Sequence, residues 1–377
     1  MYKNFLLLFF FSILLFSCKE NKKTETSDFS QTDSIKIKSE NNDWAILPFI
    51  KMDSANPVLL PVEQTKFKCP IWKKEIHWEA HDVYNPAAIV KDGKIFLIYR
   101  AEDTLKAVNG TSRLGLAESL DGIHFKRLSH PIFYPNNDEM KNYEWKGGCE
   151  DPRIIEDSIH TYYMTYSAYD GKTARLCIAT SKNLLNWTKK GLVFKNEKDK
   201  NLWSKSGSIV GKRIGDKIIA VKIKNKYWMY WGENGFLANS DDLINWKYIE
   251  DKNGEPLSVV PKRDKEEIFD SGLVEPGPPA LLTEKGILLI YNGAAMKKKP
   301  LEGVETYSAG QVLMDKNDPS KIISRLNKSF IKPEKNYELN GQVNKVTFVE
   351  GLVHFNDKWF LYYGTADSKI AVAICKK

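Results

Sequence analysis

The stretch YYMTYSAYDGKTARLCIATSKNLLNW, residues 162–187, decides the fold. It is an aromatic-rich strand followed by a short apolar segment and a polar turn that ends on a bulky aromatic residue. Related units recur at residues 95–125, 227–246, 287–314 and 359–375, and the polar turn is present in three of the five units. A repeated unit of period-2 strands and tight turns cannot bury its own faces alone. The repeats therefore predict an all-β fold, a five-bladed β-propeller, with a funnel at one end of its central axis.

A chain-breaking dipeptide precedes the aromatic strand in four of the repeats. These dipeptides are Asn85-Pro86, Asp151-Pro152, Gly277-Pro278 and Glu350-Gly351. Because proline cannot donate a hydrogen bond to a central ladder, we expect these prolines at strand entrances, which face the axis of a propeller. Residues 208–225 contain two candidate strands, and the sequence does not fix the register of that repeat.

The N-terminus predicts export and lipidation. Lys3 precedes an apolar run at residues 5–16, which is too short to span a bilayer comfortably and has the flanks of a secretory signal. The run ends in LFSC, which resembles a bacterial lipobox, so Cys18 is expected to become the lipid-modified first residue. The predicted segments are a signal peptide at 1–17, a flexible polar tether at 18–42 and the catalytic propeller at 43–377. The predicted location is the bacterial cell envelope, with a lipid anchor in the membrane.

The composition argues against several classes of function. The chain has 377 residues, 42% of them hydrophobic, so it can bury a sizeable core and is not disordered. Its net charge of +8 is scattered as short basic doublets, which indicates a solvated surface, and we expect no nucleic-acid partner. After Cys18, the cysteines are Cys69, Cys149, Cys177 and Cys375. Their spacing matches no zinc pattern and selects no disulfide, so we predict no metal and no cofactor.

Charged residues at strand ends are the candidates for chemistry. They are Arg100, Asp103, Glu150, Asp151, Arg153, Glu233, Glu275 and Asp367. Carboxylates that converge at one end of a propeller shift one another's pKa values, so that one acid stays protonated while another is ionised. Glycosidic cleavage needs this arrangement, with one carboxyl as proton donor and another that attacks or activates water. The alternative is a set of structural salt bridges between blades.

Several motifs resemble glycoside hydrolase family 130. They are Asn85-Pro86, YRAED (99–103), EDPRI (150–154), MTYSAYDGKTARLCIATS (164–181), GPP (277–279) and YYGTAD (362–367). The resemblance extends from about residue 78 to the C-terminus. It implies a five-bladed propeller that acts on β-mannosides, as a phosphorylase or as a hydrolase, with a mannose-containing oligosaccharide as substrate.

The resemblance also implies roles for individual residues. Asp151 matches the aspartate that the family uses as general acid, which passes its proton through a sugar hydroxyl. Arg100, Asp103 and Asp367 fall where family members hold the mannose of the −1 subsite, and Arg153 fits a supporting role. Further candidates for substrate binding are Asn85 and Glu150 in the matching motifs, and Arg175, Lys205 and Asn292, for which a structural role is the alternative.

Glu233 favours hydrolysis over phosphorolysis. The family's phosphorylases carry an arginine in the segment that here reads WMYWGEN, and a carboxylate at this place repels phosphate but can activate water. Glu233 and Glu275 also resemble a glutamate pair of the exported β-1,2-mannosidases in the family. We therefore predict inverting single displacement with Asp151 as acid and Glu275 with Glu233 as the water-activating pair, without ranking the two glutamates.

Three other readings stay open. They are a β-mannoside phosphorylase of the same fold, a non-catalytic glycan-binding lipoprotein, and a different five-bladed glycosidase. The intact EDPR segment beside two extra glutamates argues against a protein that only binds glycan. The linkage, the substrate length and the oligomeric state depend on loops that the sequence does not determine.

Overall fold

A computed structural model describes residues 42–104, 110–263, 268–297 and 303–376. The predicted signal peptide, Cys18 and nearly all of the predicted tether lie outside the described residues. Strands make up 49% of the structure and helices 2%, which confirms the all-β class. Among the described residues, no helix is long and apolar enough to cross a bilayer.

The described strands and helices have the following bounds. The strands are β1 (Ile50–Lys51), β2 (Phe67–Lys68), β3 (Glu75–Ile76), β4 (Asp82–Lys91), β5 (Lys94–Glu102), β6 (Ser112–Ser119), β7 (Lys126–Arg127), β8 (Gly148–Glu156), β9 (Tyr162–Tyr169), β10 (Ala174–Ser181), β11 (Trp187–Leu192), β12 (Ser208–Ile214), β13 (Lys217–Ala220), β14 (Tyr227–Trp231), β15 (Phe236–Ser240), β16 (Trp246–Tyr248), β17 (Leu273–Pro276), β18 (Ala280–Leu282), β19 (Ile287–Met296), β20 (Val304–Met314), β21 (Ile322–Arg325), β22 (Thr347–Phe355), β23 (Lys358–Thr365) and β24 (Lys369–Cys375). Two one-turn helices, α1 (Lys141–Glu144) and α2 (Asn336–Leu339), lie in connections.

Antiparallel pairing groups most strands into five sheets. In chain order the sheets are β4-β5-β6-β7, β8-β9-β10-β11, β12-β14-β15-β16, β17/β18-β19-β20-β21 and β22-β23-β24-β1. The fifth sheet takes its last strand from the N-terminal end of the described chain. Each sheet therefore corresponds to one of the five sequence repeats.

The structure determines the strand register of the third repeat, which the sequence left open. Strand β12 forms a hairpin with β13, in which Gly211 lies opposite Ala220. The same strand pairs with β14 at its other end, where Ser208 lies opposite Tyr230. Both candidate strands of this segment therefore form, and β12 bridges the hairpin and the third sheet.

Three of the breaker dipeptides form β-bulges in the first strand of their sheets. The register shifts at Asn85 in β4, between Glu150 and Arg153 in β8, and at Glu350 in β22. Pro86 and Pro152 thus lie inside strands and not at strand entrances as expected. The difference arises because a bulge interrupts the ladder, so the missing N–H of proline leaves no hydrogen bond unmade.

The recurring aromatic residues fill the core, as the repeats predict. A tyrosine in the second strand of each sheet is fully buried: Tyr99, Tyr166, Tyr230, Tyr291 and Tyr362. Each hydroxyl has a partner, which a buried tyrosine requires; Tyr99 donates to Glu79 at 2.8 Å and Tyr291 to Asp270 at 2.7 Å. The cysteines Cys69, Cys149, Cys177 and Cys375 are buried, and no disulfide joins any two of these four.

Candidate active site

Two adjoining cavities form the candidate active site. The inner cavity, of about 170 Å³, is lined by Tyr84, Asn85, Arg100, Asp151, Lys205, Glu233, Leu273, Glu275, Tyr307, Val343, Val346, Phe348 and Asp367. The outer cavity, of about 280 Å³, is lined by Arg100, Glu102, Gly110, Glu150, Asp151, Ser167, Tyr169, Ala174, Trp203, Lys205 and Gln342. Larger clefts of about 570 and 750 Å³ lie along β16 and β11, but the predicted acids do not converge in them.

The bulges explain how side chains from different sheets reach these cavities. Asn85 and Asp151 occupy the same bulge position in β4 and β8, and both have positive φ, of 48° and 47°. Asparagine and aspartate tolerate this left-handed region better than most residues. Because a bulge re-aims its side chain, the two meet across the sheets, where Asn85 Nδ2 donates to Asp151 Oδ1 at 2.9 Å.

Arg100 is the central cation of the site. Its guanidinium lies 2.7 Å from Glu102, 3.0 Å from Glu150 and 3.2 Å from Asp151. Glu102 also accepts hydrogen bonds from Tyr84 at 2.6 Å and from Gln342 at 2.9 Å. The sequence missed Glu102 as a site residue, although it stands two positions after Arg100 in a strand and so projects from the same face.

Glu150 and Asp151 have opposite pKa shifts. Burial alone would raise the pKa of Asp151, but the charges of Arg100, Lys205 and Arg153 outweigh it and lower this pKa to about 2. For Glu150, burial outweighs Arg100, and the negative charge of Asp151 adds to burial, so its pKa rises to about 7. At pH 7, about half of the Glu150 carboxyl groups therefore hold a proton beside an ionised Asp151.

A second carboxyl pair lies around Lys205. The Lys205 Nζ is 3.3 Å from Glu275 and 3.6 Å from Glu233. Ser206, which has a positive φ of 59°, donates a hydrogen bond from its hydroxyl to Glu275. The side chain of Glu275 is 1% exposed and that of Glu233 is 35% exposed. Burial raises the pKa of Glu275, against the opposing charges of Lys205 and Arg153.

Asp367 closes the inner cavity from the fifth sheet. It follows β23 in a left-handed turn, with φ of 47° at Ala366 and 49° at Asp367. Burial raises the pKa of Asp367 to about 7, although the charge of Arg100 opposes the shift. Asp367 is therefore, after Glu150, a second carboxyl group of the site with a pKa of about 7.

Arg153 lies beneath the cavities. It is 2% exposed and donates hydrogen bonds to the carbonyl oxygens of Asp151 at 2.9 Å and Pro276 at 3.0 Å. It also forms an ion pair with Glu350 at 3.1 Å. Burial raises the pKa of Glu350 well above its usual range. Arg153 thus holds the backbone of Asp151 and lines neither cavity, so of its two predicted roles, organising Asp151 or contacting sugar, the geometry favours the first.

Three residues predicted to bind substrate lie away from both cavities. Asp103 forms a buried ion pair with Arg113 at 2.6 Å, because strand alternation turns it from the face that holds Arg100. Arg175 pairs with Asp170 at 2.7 Å. Asn292 exchanges two hydrogen bonds with the backbone of Val349, at 3.0 and 2.7 Å, and so joins the fourth and fifth sheets.

One cluster of potential metal ligands lies beside the site. Within residues 42–104, 110–263, 268–297 and 303–376, ligand atoms of His81, Asp82 and Glu102 lie within 4.8 Å of one another. The oxygens of Glu102 already accept hydrogen bonds from Tyr84, Arg100 and Gln342. Glu102 thus already has three hydrogen-bond donors from the side chains around it.

The arrangement can support acid–base chemistry on a bound sugar. The outer cavity contains Glu150, whose pKa is about 7, beside Asp151, and the inner cavity contains Glu233 and Glu275 around Lys205. Arg100, Asp151 and Lys205 line both cavities. A molecule bound across them would therefore contact proton-donating and water-activating groups at the same time.

Comparison with known proteins agrees with this assignment. The family model for glycoside hydrolase family 130, described as beta-1,4-mannooligosaccharide phosphorylase, matches residues 53–377. A 1,2-beta-oligomannan phosphorylase from Thermoanaerobacter sp. (strain X514) is 34% identical over 333 residues, which cover 86% of this chain and 96% of the relative.

Solved structures include more similar chains. A glycosyl hydrolase from Bacteroides ovatus is 46% identical, with a TM-score of 0.83, over 88% of this chain and 94% of that chain. A structure described as one of the glycoside hydrolases in the GH130 family of mannoside phosphorylases, which target beta-1,2 mannosidic linkages in Candida mannan, is also 46% identical. Its TM-score is 0.84, over 88% of this chain and 94% of that chain.

Proposed function

The chain belongs to glycoside hydrolase family 130, and we propose that within this family it hydrolyses β-1,2-mannosides by inverting single displacement. Relatives that are 34% and 46% identical are named for phosphorolysis or hydrolysis of β-1,2-mannosidic linkages, which supports a manno-oligosaccharide as substrate. The five antiparallel sheets, one for each repeat, support the arrangement of a five-bladed propeller.

The observation that carries hydrolysis is the pair of glutamates around Lys205. A phosphorylase has to attract an inorganic phosphate, which carries one to two negative charges at neutral pH. Among the described residues, two cations line the inner cavity, and both already have carboxyl partners. Lys205 lies 3.3 Å from Glu275 and 3.6 Å from Glu233. Arg100 lies within 3.2 Å of Glu102, Glu150 and Asp151. Glu233 is the more exposed of the two glutamates around Lys205 and would repel an incoming anion. The negative charge of Glu233 does not repel water, because a water molecule is neutral.

The proposed proton donor is the Glu150–Asp151 pair. Asp151 lies in both cavities and gives the proton of the pair to the leaving oxygen, directly or through a mannose hydroxyl. Because the pKa of Asp151 is about 2, Asp151 is ionised near pH 7, and the one proton that the pair can hold lies on Glu150. Both carboxyl groups contact the guanidinium of Arg100, and we propose that they act as one coupled pair, which gives a single proton to the leaving oxygen and is then fully ionised.

The proposed water-activating groups are Glu275 and Glu233. Single displacement requires a base on the opposite face of the sugar from the acid, with room for a water between. Both glutamates line the inner cavity, and neither lines the outer cavity that contains Glu150. Lys205 favours the ionised form of Glu275, which a base needs. The water gives its proton to a glutamate as its oxygen bonds to the anomeric carbon.

Product analysis tests the reaction type. The enzyme is incubated with β-1,2-mannobiose in phosphate-free buffer and, in parallel, with inorganic phosphate. We expect mannose at equal rates in both, and NMR of the first product should show the α anomer. Cleavage that depends on phosphate and yields mannose 1-phosphate would establish a phosphorylase, and a β first product would exclude inversion. β-1,4-mannobiose serves as the linkage control, with slower cleavage expected.

We also propose that the protein is a lipoprotein of the bacterial cell envelope. The LFSC motif that ends at Cys18 supports this proposal. Expression in a bacterial host with radiolabelled palmitate should label the wild-type chain and leave Cys18→Ala unlabelled. A wild-type chain that is unlabelled and recovered in the soluble fraction would contradict the proposal.

A further inference from the structure

The outer cavity has an aromatic rim with no part in the acid–base chemistry. Trp203 and Tyr169 both line this cavity, and Trp203 is 47% exposed. A tryptophan with so much of its surface in water contributes little to core packing. Two aromatic side chains at the mouth of one polar cavity are typical of a surface that binds a ligand with an apolar face.

Tyr169 is held in place by a glycine. Gly147 packs against its ring so closely that a Cβ at residue 147 would lie 2.2 Å from Tyr169 Cδ1. Tyr169 is also the last residue of β9, where it pairs with Gly148 of β8 and with Ala174 of β10. The tyrosine is therefore fixed on the sheet that carries Glu150 and Asp151.

The segment that carries Trp203 is also anchored. Arg175 donates hydrogen bonds to the carbonyl oxygen of Lys200 and to the side chain of Asn201, both at 2.8 Å. On the other side of Trp203, the backbone N–H of Ser204 donates to Ala174 at 3.0 Å. Arg175 thus positions the segment that carries Trp203.

The distribution of the acids shows on which side of the bond the rim lies. Asp151, the proposed acid, lines both cavities and its partner Glu150 lines the outer one, whereas the proposed water-activating Glu233 and Glu275 line only the inner one. In single displacement the acid lies on the side of the leaving group and the water on the other side. A sugar in the outer cavity is therefore the one that leaves.

We propose that Trp203 and Tyr169 form a binding platform for the mannose ring on the leaving-group side of the scissile bond, an inference that rests on the proposed hydrolase function. A pyranose ring presents C–H groups on its faces, and a rigid aromatic side chain buries them with little loss of conformational freedom. In β-1,2-mannobiose the platform holds the reducing-end ring, with the other ring in the inner cavity.

Kinetics on β-1,2-mannobiose test the platform. Trp203→Ala should lower kcat/KM by about 10-fold, the loss expected for one aromatic contact, and Trp203→Phe should recover at least half of that loss on a logarithmic scale. Trp72→Ala is the matched control, because Trp72 is 38% exposed and lines neither cavity. Its kcat/KM should stay within about 2-fold of wild type. A Trp203→Ala value within the same range would overturn the proposal.

Saturation-transfer NMR separates this inference from the proposed function. The experiment uses Glu275→Gln, which should bind mannobiose without cleaving it, with and without Trp203→Ala. Removal of Trp203 should reduce the signals of the reducing-end ring by at least half, and the signals of the other ring should stay unchanged. Equal loss from both rings, or no loss, would overturn the platform alone. Phosphate-dependent cleavage by wild type would overturn the proposed hydrolase alone, whereas no signal from mannobiose in either variant would overturn the platform.

Discussion

Glu150 and Asp151 are neighbours in the chain, yet their surroundings hold them in different protonation states. Asp151 has Asn85, Arg100 and Lys205 to stabilise its negative charge. Glu150 is buried beside that charge, so its own ionisation is unfavourable. One consequence is that removal of either carboxyl group alters the titration of the other.

The first prediction concerns Asp151 itself. Asp151→Asn should lower kcat on β-1,2-mannobiose by about 100- to 10,000-fold, because the amide cannot transfer a proton to the leaving oxygen. Asp103→Asn is the control: it weakens a buried ion pair with Arg113 outside the cavities, so it should lower the melting temperature and leave kcat per folded molecule nearly unchanged. Full activity of Asp151→Asn in stopped assays would remove it from the mechanism.

The second prediction is a pH profile that depends on Glu150. Because burial raises the pKa of Glu150 to about 7, kcat/KM should fall as pH rises above 7 and the proton is lost. Glu150→Gln has no such proton to lose, so its residual activity should lack this alkaline limb. The measurement is kcat/KM from pH 5 to 9 for both proteins. If the alkaline limb persisted in Glu150→Gln, the group that loses its proton above pH 7 would be a residue other than Glu150.

The third prediction concerns stability at Asp367. Its pKa is 3.8 unfolded and about 7 folded, so between these pH values the folded chain binds a proton that the unfolded chain has released. Stability from this group is therefore present below pH 4 and is lost as pH rises to 7. Asp367→Asn cannot ionise and should gain a few degrees in melting temperature relative to wild type between pH 5 and pH 8. Asp241→Asn, at an exposed turn, is the control. An Asp367→Asn difference that is constant with pH would contradict the raised pKa.

The sequence predicted the acids better than their surroundings. Asp151, Glu233 and Glu275 do line one cavity, although not all from strand ends: Asp151 lies at a bulge inside β8, Glu275 lies within β17 and Glu233 follows β14. Asp103 was placed in the site by resemblance, but strand alternation puts Glu102 there. The sequence could not distinguish a structural Asn292 from a substrate-binding one. The two hydrogen bonds that give Asn292 its structural role are made to Val349, 57 positions further along the chain, and the sequence does not show that these residues are close.

At the scale of strands, β-bulges in the repeated strands direct polar side chains toward the candidate active site. Asn85, Asp151 and Glu350 occupy corresponding positions in three sheets, and at each one the strand gains a residue relative to its partner. The sequence revealed the dipeptides but not the bulges, because a bulge is a property of two paired strands. In a sequence alone, a proline indicates the start of a strand. Only the register of the neighbouring strand shows that the proline lies in a bulge instead.

The fourth prediction tests one bulge through the strand beside it. Gly364 in β23 packs against Asn85, and a Cβ there would lie 2.3 Å from Asn85 Oδ1. Gly364→Ala should therefore displace Asn85, remove its hydrogen bond to Asp151 and lower kcat by about 10-fold or more. Gly310→Ala, where a Cβ would lie 2.5 Å from the core ring of Tyr291, should lower stability without this loss of kcat. Equal kcat in both variants would show that Asn85 does not position Asp151.

At the scale of the whole molecule, the N-terminal segment completes the fold. Trp44, Ile46 and Phe49 belong to a core cluster with residues of four sheets. Gln311, which is fully buried, bonds both backbone groups of Ile46, at 3.0 and 2.9 Å. Strand β1 then pairs with β24, so the fifth sheet has no exposed edge at that strand. The first and last parts of the described chain are thereby joined in one sheet.

The fifth prediction follows from this closure. The family match begins at residue 53, after β1, whereas residues 42–377 form one contact unit. A chain that begins at Asp53 loses three large buried side chains, each worth about 1.5–3 kcal/mol, from a total stability of about 5–15 kcal/mol. It also exposes the edge of β24, which invites aggregation. We therefore expect the shorter chain to be unfolded or aggregated.

A chain that begins at Asn42 is the matched comparison, because it keeps Trp44, Ile46, Phe49 and β1. It should retain wild-type kcat and melting temperature. Circular dichroism, size-exclusion chromatography and mannobiose hydrolysis on both chains make the comparison. Equal stability of the two would mean that the ring of sheets closes without β1, and that the contacts of Gln311 with Ile46 add nothing to the fold.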